Sequence, residues 1–510
     1  MEPALTIERL DETALGQLAQ RLAPRLRAGD FLALRGDLGA GKTAFARALI
    51  RALAGRPDEE VPSPTFSIVQ PYETPRFPVH HFDFYRLSGP GEAAELGLDE
   101  ALDAGLVVAE WPERLENRLP LDRLEIALTE TDAPELRFVT LSGFGGWTPR
   151  LARFAAIERF LDGSGWLDAR QQALTGDASA RGYTRLTREG VGALLMDSPK
   201  MPDGPPIRDG RPYSQIAHLA EDVRPFVAVA AALREAGLAA PEILAQDLDN
   251  GLLLIEDFGD LTFTHLQTEG RDLRPLYRLA VDALLRLRQH PPAAILHAPD
   301  VAHPLPDFDA EALHIETELL TDWFLPAVND AEPPQAVREE FTALWAEQFG
   351  WLLAQPAGWV LRDFHSPNLL LRPEQTGLAR LGVIDFQDAM RGHPAYDLVS
   401  LLQDARLDLP AGLEDELLAH YCNEAAAANP AFDQTAFMRA YRLLGAQRAT
   451  KILGIFTRLA RRDGKRAYLR HMPRISAYLA ADLADPNLAP LQAWYARHAP
   501  LNIEEIAARI

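Results

Sequence analysis

Cysteine, lysine and long apolar stretches are all scarce in this sequence of 510 residues. Its single cysteine, Cys422, excludes internal disulfides and cysteine-rich zinc sites, so buried apolar surface must stabilise the fold. No apolar run is long enough to span a bilayer, and the first residues lack the basic and apolar regions of a signal peptide. The sequence therefore predicts a cytoplasmic protein without a membrane partner.

Positive charge is also limited. The chain holds 73 acidic against 51 basic residues, and its only lysines are Lys42, Lys200, Lys451 and Lys465. The net charge of −22 argues against direct, tight binding of nucleic acid. Partners and substrates are therefore expected among proteins and small molecules.

One stretch in the second half carries residues suited to phosphoryl transfer. It reads LRDFHSPNLLLRPEQTGLARLGVIDFQD, and its two apolar runs, Leu369–Leu371 and residues 381–384, predict a β-hairpin. An antiparallel return would place Asn368 beside Asp385, with Asp363 in the loop before them. Asp363 would accept the proton of an attacking hydroxyl, while Asn368 and Asp385 would hold magnesium. The alternative is a buried hairpin with an incidental Asp and Asn, and the second strand ending in Ile-Asp-Phe argues against it.

The first half contains a complete P-loop pattern, GDLGAGKT, over residues 36–43. A buried strand is predicted before it, over residues 31–34, and a helix after it, over residues 43–53, with Gly55 as its stop. This strand, turn and helix are the context that the pattern requires. Backbone amides of the turn would cradle phosphates, a lysine would reach the terminal phosphates, and a threonine hydroxyl would bind magnesium; the nucleotide-binding residues are Gly36, Gly39, Gly41, Lys42 and Thr43.

Two further carboxylates follow predicted strands of the same half. The strand period of two places His81, Asp83 and Tyr85 on one face of HHFDFYR, opposite the phenylalanines. Glu110 ends a buried run, where a nucleotide-binding sheet places a carboxylate for magnesium or water. The loop over residues 63–66 could sense the terminal phosphate. The alternative is that both carboxylates are solvated strand-end residues.

The segments GDLGAGKT, SPTF, HHFDFYRL and EWPER resemble the ATPase family of bacterial tRNA threonylcarbamoyladenosine biosynthesis (TsaE), over residues 5–147. The resemblance implies ATP hydrolysis that supports the partner proteins of the threonylcarbamoyl-transferase complex. It also implies that Asp83 and Glu110 are catalytic, and that Thr43 and Glu110 bind magnesium. A competing hypothesis is a nucleotide-gated assembly factor whose ATP state only sets partner binding.

A glycine-rich segment, GFGGWTP, separates this half from the second, and helix-like periodicity begins again at Leu151. We predict a P-loop domain over residues 1–147, a linker over 148–169 and a bilobal kinase-like domain over 170–510. Its N-lobe would span about 170–257 and its C-lobe about 258–510.

The predicted N-lobe departs from the kinase pattern in its positive charge. Small residues over 175–186 form a turn that could cover phosphates, but the next strand, residues 192–196, has no lysine. Either Lys200 reaches back, or Arg181 or Arg185 supplies the charge. The sequence does not choose among them, and Arg181 is the candidate nucleotide-binding residue.

Two acidic segments near the predicted catalytic loop have other expected roles. Asp257-Phe258-Gly259 looks like the kinase metal motif, but it precedes the base, so we interpret Glu256 to Phe258 as the hinge that binds adenine. Asp397 is expected to cap a helix and to steady the catalytic loop.

The second half resembles the aminoglycoside phosphotransferase superfamily of small-molecule kinases. DASARGYTRL, LLMDSP, LIEDFGD, LRDFHSPNLL and VIDFQDAMRGHPAYDLVSLLQDAR are most similar to the anomeric kinases of cell-wall recycling (AmgK). This resemblance implies phosphorylation of N-acetylmuramate and N-acetylglucosamine; a choline-like or aminoglycoside acceptor is the alternative. The expected fold is an α/β P-loop NTPase domain followed by a bilobal α+β protein-kinase-like domain, both using ATP and Mg²⁺.

Overall fold

The computed structural model describes residues 4–499 except 88–91, 93–94 and 175–180. The chain forms two compact units. The first contains Met1–Ser198 and Ala245–Ile255, and the second contains Pro199–Leu244 and Glu256–Ile510.

The first unit is built on a seven-stranded mixed sheet. Its strands are β1 (Ala4–Leu10), β2 (Phe31–Arg35), β3 (Val69–Tyr72), β4 (Val79–Asp83), β5 (Leu106–Glu110), β6 (Arg123–Glu130) and β7 (Arg137–Phe144). They lie in the order β1-β7-β6-β2-β5-β4-β3, and β2 pairs in parallel with β5 and β6. Strand β5 also pairs in parallel with β4. The carboxyl ends of β2, β4 and β5 therefore meet at one edge.

The residues of the central strands account for their place. Phe31 to Leu34 and Leu106 to Ala109 are fully buried, because helices cover both faces of a parallel sheet. The covering helices are α1 (Glu12–Leu22), α2 (Lys42–Ala54) and α3 (Leu98–Ala104). Helix α2 ends at Gly55, with φ of 66°, which confirms the predicted stop.

The predicted linker is occupied mainly by a continuous helix, α4 (Trp147–Gly163). Leu151 and Phe154 pack into the core around the first sheet. Ile157 and Leu161, one and two turns later, pack into a second core. Apolar residues recur at helical spacing through both halves, so one helix serves two cores.

That second core lies on a five-stranded sheet of the kinase-like region. The sheet has the order β13-β14-β10-β9-β8. Its strands are β8 (Arg170–Leu174), β9 (Gly182–Arg188), β10 (Val191–Asp197), β13 (Ile243–Asp247) and β14 (Leu252–Glu256). A short hairpin between β10 and β13 joins β11 (Pro206–Arg208) to β12 (Arg211–Pro212). Strand β10 is the lysine-free strand of the sequence.

The second unit is mostly helical. Its α-helices are α5 (Tyr213–Ile216), α6 (Arg224–Glu235), α7 (Phe263–Thr268), α8 (Arg274–Arg288), α9 (Ala310–Leu319), α10 (Leu325–Asn329), α11 (Gln335–Leu353), α12 (Ala395–Leu402), α13 (Leu413–Ala428), α14 (Gln434–Asp463), α15 (Met472–Leu483) and α16 (Ala489–His498). Within the ranges that the structure describes, no helix has both the length and the hydropathy to cross a membrane.

Three short antiparallel pairs sit among these helices. They join β15 (Ile295–Ala298) to β16 (Val301–Pro304), β17 (Gly358–Val360) to β20 (Met390–Gly392), and β18 (Leu369–Leu371) to β19 (Leu381–Val383). The last pair confirms the hairpin predicted from the sequence, with Leu369 opposite Val383. Its open end carries the proposed phosphoryl-transfer residues.

Candidate active sites

The P-loop turn follows β2 and uses its glycines for three backbone conformations with positive φ. These are 142° at Gly36, 83° at Gly39 and 102° at Gly41. A Cβ at Gly36 would lie 2.5 Å from the carbonyl oxygen of Leu128, so a side chain there would collide with backbone. The turn is thus open to a ligand's phosphates at the start of α2.

Lys42 is held inside this turn. Its Nζ donates to the carbonyl oxygens of Gly36 at 2.7 Å and Asp37 at 2.8 Å. It also lies 3.9 Å from the ring centroid of Trp111. Burial lowers the pKa of Lys42, and the nearby carboxylates, Glu110 first, oppose that shift. The lysine is therefore placed within the predicted phosphate-binding turn.

Thr43 and Glu110 meet beneath the turn. The Thr43 hydroxyl lies 2.9 Å and 3.0 Å from the two carboxylate oxygens of Glu110. His81 Nε2 lies 3.0 Å from Glu110 Oε1, and the side chain is fully buried. The sequence placed His81 on the face of Asp83 but gave it no role; its partner is set by the parallel register of β4 and β5.

Asp83 lies opposite Glu110 in that register. Its carboxylate accepts hydrogen bonds from Thr65 Oγ1 at 2.8 Å and Ser63 Oγ at 3.1 Å. It also accepts one from the amide of Tyr85 at 3.0 Å. The loop expected to sense phosphate is thus joined directly to a predicted catalytic carboxylate. Asp83 and Glu110 are both buried rather than solvated.

The second candidate site lies at the open end of the β18–β19 hairpin. Asn368 Nδ2 lies 3.4 Å from Asp385 Oδ2 and donates to the carbonyl oxygen of Asp363 at 3.0 Å. Gln387 donates to Asp385 Oδ1 at 3.0 Å. The structure therefore brings together the three residues that the sequence assigned to the base and the metal. The side chain of Asp363 is 40% exposed, so it is open to an acceptor.

The loop that carries Asp363 is held by a buried carboxylate. Asp397 accepts hydrogen bonds from the amides of Leu361 at 2.6 Å and Arg362 at 2.9 Å, as the sequence predicted for the catalytic loop. The predicted helix cap is wrong. Helix α12 has Pro394 as its N-cap, and Asp397 lies in its first turn with its carboxylate engaged by the loop. Arg362 takes a φ of 74° in that loop.

A second buried carboxylate, Asp404, holds the next part of the loop. Its carboxylate accepts two hydrogen bonds from Ser366, one from the backbone amide at 3.0 Å and one from the hydroxyl at 2.5 Å. His365 Nε2 lies 3.0 Å from Arg406 Nη1. Burial lowers the pKa of His365, which supports a neutral ring that accepts from arginine.

The third support is a buried charge cluster that the sequence did not indicate. Glu316 is fully buried and pairs with Arg362. It also accepts from Lys451 Nζ at 2.7 Å and Gln447 Nε2 at 2.9 Å. Glu316 comes from α9, Lys451 from α14 and Arg362 from the loop, and no local pattern links positions so far apart.

These charges act on the proposed base. Partial burial by itself would raise the pKa of Asp363, but the cations Lys451, Arg362 and Arg448 outweigh it and hold the pKa below its usual value. The carboxylate is therefore ionised near neutral pH.

The predicted nucleotide contacts of the kinase-like half are less complete. Glu256 pairs with Arg372 at 2.5 Å, and its amide already donates to Glu242 at 2.9 Å. Arg372 lies 4.2 Å from the ring centroid of Phe258, whose ring also packs against Gly382. In the proposed adenine hinge, the ring of Phe258 is therefore held by its neighbours. The amide of Glu256 is already bonded and does not remain for adenine.

Arg181 is half-buried and directly precedes β9. Most of the predicted phosphate-covering turn before it, residues 175–180, lies outside the described residues. Arg181 belongs to the first unit and the catalytic hairpin to the second. Its role in nucleotide binding thus stays a prediction.

Oxygen ligands for a metal occur as pairs. No group of three or more His, Cys, Asp or Glu side chains suited to a metal ion occurs in the part of the chain that the model describes. The pairs Thr43 with Glu110 and Asn368 with Asp385 supply hydroxyl, carboxylate and amide oxygens. Magnesium often takes one or two protein ligands and completes its shell with phosphate and water oxygens, so both pairs fit it.

Two family models match the chain. The family described as "Threonylcarbamoyl adenosine biosynthesis protein TsaE" matches residues 10–137, and the "Phosphotransferase enzyme family" matches residues 170–441. These matches cover both halves and confirm the two resemblances and the fold class inferred from sequence motifs.

Curated relatives divide in the same way. An N-acetylmuramate/N-acetylglucosamine kinase of Caulobacter vibrioides is 39% identical over 68% of this chain and 97% of its own length. One of Pseudomonas aeruginosa is 34% identical over 67% of this chain and 95% of its own. The tRNA threonylcarbamoyladenosine biosynthesis protein TsaE of Rickettsia felis is 40% identical over 24% of this chain and 71% of its own. The chain therefore belongs to the TsaE family through its first part and to the phosphotransferase enzyme family through its second.

Proposed function

We propose that this protein combines two ATP-using activities in one chain. The first part hydrolyses ATP in support of tRNA threonylcarbamoyladenosine formation. The second part phosphorylates the anomeric hydroxyl of N-acetylmuramate and N-acetylglucosamine. The observation that carries the kinase assignment is the meeting of Asp363, Asn368 and Asp385 in a chain that is 39% identical to the Caulobacter vibrioides kinase over nearly all of that relative.

The kinase step follows from the hairpin. Asp363 accepts the proton of the anomeric hydroxyl as that oxygen bonds to the terminal phosphorus of ATP, and the bond from this phosphorus to the bridging oxygen of ADP breaks. Asn368 and Asp385 would hold magnesium, which draws charge off the transferred group when it is bound. Asp397 and Asp404 fix the loop, which keeps the base aligned without moving it during transfer.

In the P-loop site, backbone amides over residues 36–43 bind the phosphates and Lys42 turns from its carbonyl partners to the terminal phosphates. Thr43 and Glu110 would hold magnesium. Asp83 orients the attacking water. Ser63 and Thr65, which donate hydrogen bonds to Asp83, sense the terminal phosphate. Partner proteins of the threonylcarbamoyl-transferase complex recognise the nucleotide state of this site. We place both activities of the chain in the cytoplasm.

The acceptor is tested with the full-length protein. ATP consumption is measured with N-acetylmuramate, N-acetylglucosamine, choline and kanamycin in turn, and products are identified by phosphorus NMR. A sugar 1-phosphate with both N-acetyl sugars is expected. Turnover with choline or kanamycin alone would replace the acceptor while keeping the mechanism, and no turnover with any acceptor would contradict a kinase role.

The role of ATP hydrolysis is tested in cells depleted of their own TsaE protein. Wild type is expected to restore the threonylcarbamoyladenosine content of tRNA, whereas Glu110→Ala should not. Full restoration by the variant would favour an assembly factor that binds ATP without needing to hydrolyse it.

A further inference from the structure

An open cavity of about 350 Å³ lies beside the phosphoryl-transfer loops of the second unit. Its wall includes Gln387, which donates to the proposed metal ligand Asp385 at 3.0 Å. The volume suits a monosaccharide, and the polar side chains of its wall include Lys200, His218, Glu221, Asp222 and His303.

One short segment of this wall is bonded to both catalytic loops. The carbonyl oxygen of Ala217 accepts from Arg362 Nη1 at 2.8 Å, and Arg362 precedes the base. The amide of Ala220 donates to Asp388 Oδ1 at 2.7 Å, three residues beyond Asp385. A ligand held against this segment therefore lies next to the loops that bear the base and the metal ligands.

The polar groups of the wall differ in how fully they are engaged. His218 Nε2 lies 3.0 Å from Asp309, and Asp222 pairs with Arg224 at 2.9 Å. Glu221 accepts a hydrogen bond from Ser214 Oγ at 3.2 Å. Burial lowers the pKa of His303, so its ring is neutral near pH 7. Glu221 and His303 are therefore suited to sugar hydroxyls.

Lys200 places a positively charged ammonium group on this wall. Its side chain forms no ion pair with any residue that the structure describes, and it is exposed. The chain's other lysines are placed elsewhere: Lys42 lies in the P-loop, Lys451 is bound to Glu316, and Lys465 follows α14. An ammonium group facing a sugar-sized cavity is suited to an anionic substituent.

We propose that this cavity binds the acceptor sugar and that Lys200 is a specificity-determining residue that pairs with the lactyl carboxylate of N-acetylmuramate. The assignment rests on the proposed kinase function. N-acetylglucosamine lacks that carboxylate, so its binding depends on the hydroxyl contacts alone. Lys200 thus serves the acceptor rather than replacing the lysine that β10 lacks.

Steady-state kinetics of both sugars test the assignment. Lys200→Ala should raise KM for N-acetylmuramate about 10-fold or more, because a charge-assisted contact is lost, and should leave KM for N-acetylglucosamine and for ATP within about twofold. Lys200→Arg should restore most of the affinity for N-acetylmuramate. Lys465→Ala, which removes an exposed lysine far along the chain, is the matched control and should change no parameter.

A second variant tests the cavity itself. Gln215→Trp places a large ring on an exposed position of the wall and should raise KM for both sugars while KM for ATP stays unchanged. Unchanged sugar KM values in this variant would overturn the location of the site. Equal effects of Lys200→Ala on the two sugars, no effect on either, or a selective rise in KM for ATP would overturn the role of Lys200. Wild type that phosphorylates neither sugar would instead overturn the kinase function on which the assignment rests.

Discussion

The two phosphate-handling sites of this chain are assembled in contrasting ways. In the P-loop site, eight consecutive residues, 36–43, supply the glycine turn, the lysine and the threonine. In the kinase site, Asp363, Asn368 and Asp385 depend on carboxylates from distant elements. Those supports are Asp397 and Asp404 around α12 and Glu316 on α9.

The geometry of the first site depends on local backbone conformation, whereas that of the second depends on tertiary contacts. A P-loop keeps its geometry through backbone conformations that glycine permits, so its site is largely complete once strand and helix have formed. The kinase loop, with φ of 74° at Arg362, persists because buried charges hold it. Substitutions of residues far from the two sites should therefore lower kinase activity more than P-loop ATPase activity.

The largest expected effect separates the two chemistries. Asp363→Ala should lower sugar-dependent turnover about 100- to 10,000-fold, because the proposed general base is lost, and should leave the acceptor-independent ATPase activity unchanged. Lys42→Ala should do the reverse. ATP consumption with and without sugar measures both. Loss of both activities in either variant would mean that the sites do not work separately.

Removing a distant support tests the tertiary dependence. Glu316→Gln should lower the free energy of unfolding by about 3 kcal/mol or more, because it leaves Arg362 and Lys451 buried without their carboxylate. Urea denaturation followed by tryptophan fluorescence measures the change. Glu311→Gln on the same helix breaks an exposed pair with Arg211 and serves as the control, for which we expect no measurable change. Similar destabilisation by both would remove the case for a buried support.

The local character of the P-loop predicts a different outcome for a backbone change. Gly36→Ala should cost about 2 kcal/mol, because φ is 142° and the added Cβ meets the carbonyl oxygen of Leu128. We expect loss of nucleotide binding at this site, measured with a fluorescent ATP analogue, while sugar kinase activity persists. Gly29→Ala, also at positive φ but with open space around it, is the matched control for strain without collision.

The predictability of the two sites from sequence follows the same division. The P-loop, its flanking strand and helix, and the β18–β19 hairpin all arise from patterns within about 30 residues, and the structure confirms these elements. The pairing of Asp83 with Glu110 needs only the rule that parallel strands end at one edge.

The supports could not be predicted in the same way. Glu316 lies in an amphipathic run where a glutamate is expected at the surface, and its partners are far along the chain. The helical periodicity predicted from Leu151 onward is confirmed by α4, but a local pattern could not show that this one helix packs into two cores. The sequence predicts Asp397 as a helix cap because a short helix follows it. In the structure its carboxylate instead accepts hydrogen bonds from two amides of the catalytic loop.

The smallest expected effect concerns a histidine at the start of α12. Burial, aided by Arg288, lowers the pKa of His393 to about 4, and its Nδ1 accepts from the amide of Ala395 at 3.3 Å. The unfolded chain binds a proton near pH 6.5 and the folded chain does not, so this stability is present above pH 6.5 and is lost as pH falls toward 4. Between pH 7 and 5.5 the loss should be about 1 kcal/mol. His393→Asn keeps an acceptor without titrating, and urea denaturation at both pH values should show a smaller pH dependence in the variant. An equal dependence in the two proteins would mean that folding does not lower the pKa of His393.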